Sequence, residues 1–288
     1  MNAVTPDRAG ITARDIVLEL RAGASRSRRI RLAMMDVADG LALWRLAATL
    51  GWLDIRLRYR GSLLGPFWVT LSTSVMIGAL GLLYGSLFHM DLRAYLPFLA
   101  LSLVLWTFLA ALISEGCLCF TESETVIRSV RMPLCVFPLR VLVRNALVLA
   151  HNVVVIVLVY VIFAIWPGWP ALLSLPGIAL WLVDGMAMCL LLGAVGARYR
   201  DIPPIIASVV QIAFFMTPVI WKPEQLGARG WVLPFNPFFA MLDIVRAPLL
   251  GELPSAAAWG AAAGYSALLL ALAWWLFVRA RARVAFWL

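Results

Sequence analysis

Lysine is almost missing from this chain. Of its 24 basic residues 23 are arginine, and the single Lys222 lies between Trp221 and Pro223. A phosphate-binding P-loop needs a lysine followed by Ser or Thr after a glycine-rich turn, so a Walker-type ATPase site is excluded. Charge of either sign is also scarce: 14% of residues are charged and 63% are hydrophobic, against about a quarter charged in a soluble globule. With a mean hydropathy of +0.92, the chain reads as an integral membrane protein. The four cysteines, Cys117, Cys119, Cys135 and Cys189, show no zinc-type spacing and no extracytoplasmic pair, and are expected to be reduced structural thiols. His89 and His151 are isolated, and Glu122 with Glu124 lacks further ligands. A membrane-embedded glycosyl or phosphoalcohol transferase would need a carboxylate cluster or a Ser-His pair at the surface, and no metal site is expected.

What is present is organised around LDIRLRYRGSLLGPFW at residues 53–68, an arginine-rich run that turns into an apolar segment. No charge occurs from Phe67 to Phe88, long enough for a helix rising about 1.5 Å per residue to cross about 30 Å of hydrocarbon. Upstream, Leu43, Leu46, Leu50, Leu53 and Leu57 recur at steps of three and four and draw one stripe on a helix, with Arg45, Asp54, Arg56 and Arg58 off it. Such a helix lies in the membrane interface, leucines towards acyl chains and arginines towards phosphates, with Trp44 and Trp52 at headgroup depth. A bare lipid anchor and an anchor that also touches substrate fit the pattern equally.

Five further apolar segments follow, at 94–114, 145–166, 171–197, 202–221 and 255–278, which makes six spans and places both termini on one side. Twenty basic residues fall on the face that holds residues 1–65, 115–144, 198–200 and 279–283, and four (Arg93, Lys222, Arg229 and Arg246) on the other. The positive-inside rule puts the first face, and both termini, in the cytoplasm. The net charge of +9 is thereby topological, and no aromatic-interleaved basic groove suggests nucleic acid. Residues 1–40 form a polar, basic cytoplasmic extension without a signal-peptide pattern, residues 41–65 the interface helix, and residues 66–288 the six-span domain.

The loops carry their own signals. Between spans two and three, Glu124 stands four residues before Arg128, the spacing of a short exposed helix that could dock a soluble partner through Glu122, Glu124 and Arg128. Pro133 stops it and Pro138 starts span three. In ARYRDIPP, Asp201 can cap the next helix and Pro203 tolerates its missing N–H. The outer segment 222–254 holds Pro223, Pro234, Pro237, Pro248 and Pro254 yet stays apolar through NPFFAMLDIVRAPLL. Asn236 as cap and Pro237 at the first position predict a short re-entrant helix, tolerable if buried or lining a water-filled path.

Asp184 is the one formal charge inside a span and costs about 2.5–3.5 kcal/mol on insertion scales. His151, Asn152 and Gln211 are its candidate partners, in a polar helix contact or a pathway. Gly81 with Gly85, and Gly193 with Gly196, predict close helix packing, and Phe88, Trp106, Trp166, Trp169, Trp221 and Trp231 interface anchors.

Four ordered stretches, RLRYRGSLLGPFW, ESETVIRSVRMPLCVFPLR, ARYRDIPPIIASVVQIAFFMTPVIW and NPFFAMLDIVRAPLL, resemble the membrane permease subunit of bacterial ABC exporters for polysaccharides such as O-antigen, capsule or teichoic acid. The resemblance covers residues 40–288. It implies an all-α homodimer of six-span subunits in the inner membrane, with an amphipathic interface helix, a coupling helix at Glu122, Glu124 and Arg128, and short periplasmic helices before the last span. It implies two separate nucleotide-binding ATPase subunits that bind ATP and Mg, no cofactor in this chain, and an undecaprenyl-diphosphate-type lipid-linked glycan as cargo. On that reading Arg56 and Arg60, with Arg58 lying off their face, gather the diphosphate at the membrane surface, and Phe238, Phe239, Asp243 and Arg246 form an outer gate. A stand-alone secondary transporter would instead show paired intramembrane ionisable groups and inverted repeats.

Overall fold

The computed structural model describes residues 26–65, 67–87 and 89–288, so the first 25 residues of the expected N-terminal extension, and the anchor expected at Phe88, lie outside the described residues. Every regular element among the described residues is helical: α1 Arg26–Ala42, α2 Trp44–Arg58, α3 Phe67–Leu87, α4 Leu92–Leu118, α5 Glu124–Ser129, α6 Val136–Phe163, α7 Ser174–Arg198, α8 Ile202–Met216, α9 Pro237–Leu249, α10 Ala256–Ala280 and α11 Val284–Trp287, with 3₁₀ turns at Trp169–Leu173 and Pro223–Phe235. The protein is an all-α integral membrane protein. Among the described residues five helices (α3, α4, α6, α10, and α7 with the 3₁₀ turn before it) are long and apolar enough to span a bilayer.

The expected fifth span is where sequence and structure part. Of residues 202–221 only the 15 of α8 are helical, about 22 Å at the usual rise. The chain nevertheless runs from one end of the bundle to the other. Arg198, just before α8, lies over the Trp287 ring at the arginine-rich end, whereas the Tyr95 hydroxyl near the start of α4 donates to the Ile220 carbonyl at the opposite end (2.6 Å). Residues 217–219 are buried; the Thr217 N–H still closes on the Ala213 carbonyl (2.9 Å), but Pro218 has no N–H and the Val219 N–H turns to the Thr217 carbonyl (2.7 Å), so helical bonding ends there. In a membrane such backbone persists only inside protein. Beyond it, the Pro223–Phe235 turn and α9 meet at 109°, a re-entrant bend. The Asn236 side chain caps α9, accepting from the Phe238 and Phe239 N–H groups (2.9 and 3.3 Å), while Asp201 makes no such bond to α8 and Pro203 and Pro204 suffice to start it.

Helix α4 is the central staff, buried along most of its length. Gly81 and Gly85 seat Leu96 and Leu92 of α4. A Cβ at Gly196 would land on the Cys117 carbonyl, so α7 lies backbone against backbone on the end of α4. Trp106, expected as an interface anchor, is instead buried in the core, because it sits midway along that central helix. Trp166 and Trp169, beside the ends of α6 and α7, and Trp231, within the Pro223–Phe235 turn, are exposed.

Helices α1 and α2 run almost without interruption, and their buried positions Ala33, Asp36, Gly40, Ala47, Gly51 and Ile55 form one stripe of mostly small residues. The predicted leucine stripe faces away from it: Leu43, Leu46, Leu53 and Leu57 are exposed, as are Trp44 and Trp52. The corner between α2 and α3 turns on Gly61 and Gly65, whose φ angles are +85° and +55°, a region that glycine enters without steric cost.

Candidate functional site at the arginine-rich end

The stripe of small residues brings α2 onto α6. A Cβ on Gly51 would lie 3.0 Å from the Arg140 carbonyl oxygen and 3.2 Å from the Arg144 nitrogen. That approach places Asp54, one turn on, beside both arginines. Arg140 grips Asp54 with two parallel bonds, Nε to Oδ2 at 2.7 Å and Nη2 to Oδ1. Arg144 donates to Asp54 Oδ2 (3.3 Å) and, through Nε and Nη2, to Glu115 Oε2 at the end of α4 (3.1 and 2.8 Å). Asn145 Nδ2 adds a bond to the same oxygen (2.7 Å), and Glu122 Oε2 lies 4.0 Å from Arg144 Nη1. With an Arg144 side chain only 8% exposed, this network is a sheltered, charge-matched knot in which the planar guanidinium fork suits carboxylates.

The knot separates the three junction arginines. Arg58 Nη2 donates to Glu115 Oε1 (3.2 Å), so this half-exposed side chain has an ion-pair partner within the protein. The cause is α4, whose last turn delivers Glu115 beside α2. Arg56 and Arg60 are exposed and take part in no ion pair among the described residues. Arg60 lies in a turn beyond α2, its N–H bonded to the Leu57 carbonyl (3.3 Å), not on a continued helical face as the four-residue spacing suggested.

The loop expected to dock a partner forms α5, with no buried residue and an Arg128 to Glu124 ion pair of 3.0 Å. Glu122 precedes the helix and leans on the knot. Behind it, Asp36 of α1 accepts from the Cys135 N–H (3.1 Å) and from Arg281 Nε (2.8 Å), tying α1 to the start of α6 and to the end of α10. Burial, and then the Asp36 carboxylate, push the Cys135 thiol well up. Burial does the same to Cys119. All four cysteines are free and buried.

The intramembrane polar residues do not meet as expected. Asp184 is bonded by the Ser266 hydroxyl of α10 (2.6 Å), not by His151, Asn152 or Gln211. His151 Nδ1 contacts the Leu147 carbonyl one turn back (2.8 Å), Asn152 is buried with Oδ1 unbonded, and Gln211 is exposed. Helical pitch could place each residue on a face, but which faces meet depended on α10 lying along α7.

The residues expected at an outer gate, Phe239, Asp243 and Arg246, pack together as a staple. Arg246 donates to Ser102 Oγ (3.1 Å), the Pro218 carbonyl and Asp243 Oδ1 (3.3 Å), and its guanidinium stands 4.6 Å from the Phe98 centroid and 6.0 Å from that of Phe239. It thereby satisfies the freed backbone after α8. Phe238 packs against Trp106 at 5.4 Å, and Trp106 against Phe214 at 5.7 Å. Beside these rings a cavity of about 430 Å³ between α3, α4 and α8 is edged by Thr73, Thr107 and Ser114.

Known proteins resemble this chain over about two thirds of its length. The O-antigen export system permease protein RfbA of Myxococcus xanthus is 25% identical over 201 residues, covering 67% of this chain and 76% of that protein. The protein of the same name from Klebsiella pneumoniae is 20% identical over 195 residues, covering 66% and 74%. The ABC-2 type transporter family matches residues 45–250, from the interface helix through the knot to the re-entrant α9, and the chain belongs to that family of transporter membrane proteins.

Proposed function

We propose that this chain is the transmembrane subunit of an ATP-driven exporter that moves a lipid-linked polysaccharide out of the cytoplasm across the bacterial inner membrane. The observation that carries the reading is the division of labour at the junction: Arg58 is tied to Glu115, while Arg56 and Arg60 stay exposed just before α3, where a diphosphate of undecaprenyl-diphosphate type would arrive. Two copies enclose the path, each with a separate ATPase subunit that holds ATP and Mg. The exposed α5 supplies a charged docking knob for that subunit, and Glu122 beside Arg144 links it to α2, α4 and α6. Thr73, Thr107 and Ser114, with Trp106 and Phe214 nearby, offer hydroxyls and ring faces to a sugar chain. This chain does no bond chemistry; it binds, orients and moves.

The test is binding and export in a reconstituted complex. The Arg56→Ala, Arg60→Ala double variant is expected to lower affinity for the lipid-linked glycan at least tenfold, in line with the loss of about two charge-assisted hydrogen bonds, while still inserting and assembling. Arg58→Ala should cost stability and not affinity. In the same assay, reversal of Glu122 and Glu124 to Arg should preserve glycan binding and remove export. Unchanged binding in the double variant would leave these arginines as lipid anchors.

Orientation has its own measurement. The native thiols, all four buried, should be silent to an impermeant maleimide from either side, so cysteines must be introduced at exposed positions. Arg229→Cys is expected to label in intact cells and Arg131→Cys only after permeabilisation. The reverse pattern would invert the topology and remove the export direction.

A further inference from the structure

Helix α1 lies ahead of the residues matched to the transporter family, yet it is built into the matched part. Its buried face is Ala33, Asp36 and Gly40. A Cβ added at Gly40 would stand 2.6 Å from the Cys135 Cβ, so α1 reaches the start of α6 through bare backbone. The first turn of α6 has N–H donors that the helix itself cannot satisfy. The Val136 and Phe137 N–H groups bond the Pro133 and Leu134 carbonyls (3.2 and 3.3 Å) and Pro138 has no N–H, which leaves the Cys135 N–H. Asp36 Oδ1 accepts it from 99 positions away (3.1 Å), while Oδ2 accepts from Arg281 Nε at the end of α10 (2.8 Å). A helix N-terminus and a cation both favour a carboxylate between them, and the Asp36 side chain is 2% exposed.

The place that Asp36 pins is the end of a linker. Residues 130–135 join α5 to α6, and Val130 is extended (φ −128°, ψ 130°). With its far end loose, this linker would bend under a force on α5 and pass little of it on. Its far end is held, and so is its base: Ile127 of α5 and Met132 pack on a cluster in which Ala33 of α1, Phe137 of α6, Phe277 of α10 and Val284 of α11 are buried. Asp36 is the charged link among α1, α6 and α10. We propose that α1 is a clamp across the root of α5, with Asp36 as its positioning residue, and that it makes α5, α6 and the end of α10 move as one body. The inference deepens the export reading and rests on it. A push of the ATPase on α5 then reaches the Arg140 and Arg144 knot through α6 and the last span through Arg281, instead of bending residues 130–135.

The full chain in lipid nanodiscs is given spin labels at Thr125→Cys in α5 and Ala282→Cys just past α10, both exposed positions, the native thiols being buried. One narrow label-to-label distance is expected. Asp36→Ala should broaden it, whereas Asp39→Asn, which alters an exposed carboxylate on the same helix, should not. In the exporter co-purified with its ATPase, Asp36→Ala is expected to lower the amount of an undecaprenyl-diphosphate-linked oligosaccharide moved per ATP hydrolysed about tenfold, the weight of one charge-assisted hydrogen bond, with hydrolysis itself retained. A merely structural loss would lower hydrolysis and export together. Arg281→Gln keeps the Cys135 bond and frees α10, so it should broaden the distance and lower the ratio to a smaller extent, and it carries the test if Asp36→Ala does not fold. A narrow distance in both variants, or a broadened one with an unchanged ratio, would overturn the proposal. An unsubstituted complex that hydrolyses ATP without moving the oligosaccharide would remove the export reading instead, while the label distances, read without any ATPase, still decide the clamp.

Discussion

Arg246→Ala is expected to lower stability by about 3–5 kcal/mol, the cost of breaking a buried charge pair by removing one partner, and to be the most damaging single change in the half of the bundle away from the arginine-rich end. Arg246 is 2% exposed and holds three acceptors from three segments: Ser102 of α4, the Pro218 carbonyl and Asp243 of α9. Truncation leaves Asp243 without its cation and the Pro218 carbonyl without a donor, just where the chain has abandoned helical bonding. Lysine restores the charge but cannot fork to several acceptors, so Arg246→Lys should recover only part of the loss. Arg246→Met combined with Asp243→Leu should lie closer to wild type than Arg246→Met alone, because an apolar pair leaves no buried charge unpaired. Melting of the purified protein in detergent decides it. A wild-type melting curve for Arg246→Ala would show that the broken segment needs no staple.

Arg144→Ala comes next, with an expected loss of about 3 kcal/mol, at the low end for a buried pair, because neighbours remain. Asp54 keeps Arg140, and Glu115 keeps Arg58 and Asn145. The decisive quantity is coupling. A double-mutant cycle of Arg144→Ala with Glu115→Gln should return an interaction of about 1–3 kcal/mol, since the two share short bonds in a sheltered site. The exposed pair Glu124 and Arg128 should give about 0.5 kcal/mol or less, as surface pairs do, and should fade in high salt while the knot does not. Equal coupling at the two places would mean that the knot is as solvent-screened as the surface.

The knot also shows why part of the site could be read from residues and part could not. Arg56, Arg58 and Arg60 announce themselves as a cluster at a span boundary, and the Glu124 and Arg128 spacing is a local helical signal. Asp54, Glu115, Arg140 and Arg144 give single charges in three separate stretches, each explicable as an end-of-span charge. The signal present was Glu115 and Arg144 sitting at the facing ends of consecutive spans, which turn back on each other through α5. Pairing them required knowing that α2 lies across α6, and that rests on Gly51, one small residue among many.

Composition and hydrophobic period by themselves determined the membrane class, the long apolar helices, the amphipathic α2 with its leucines outward, and the capped α9, because each depends on length, period or a neighbour a few residues away. Tertiary structure alone decided that α8 stops at Met216, that Trp106 is core, that Arg58 is engaged while Arg56 and Arg60 are not, and that Asp184 bonds Ser266. In a chain with so few charges, each buried polar group takes the partner that an adjacent helix delivers. Which helix that is follows from backbone contact between segments far apart in sequence.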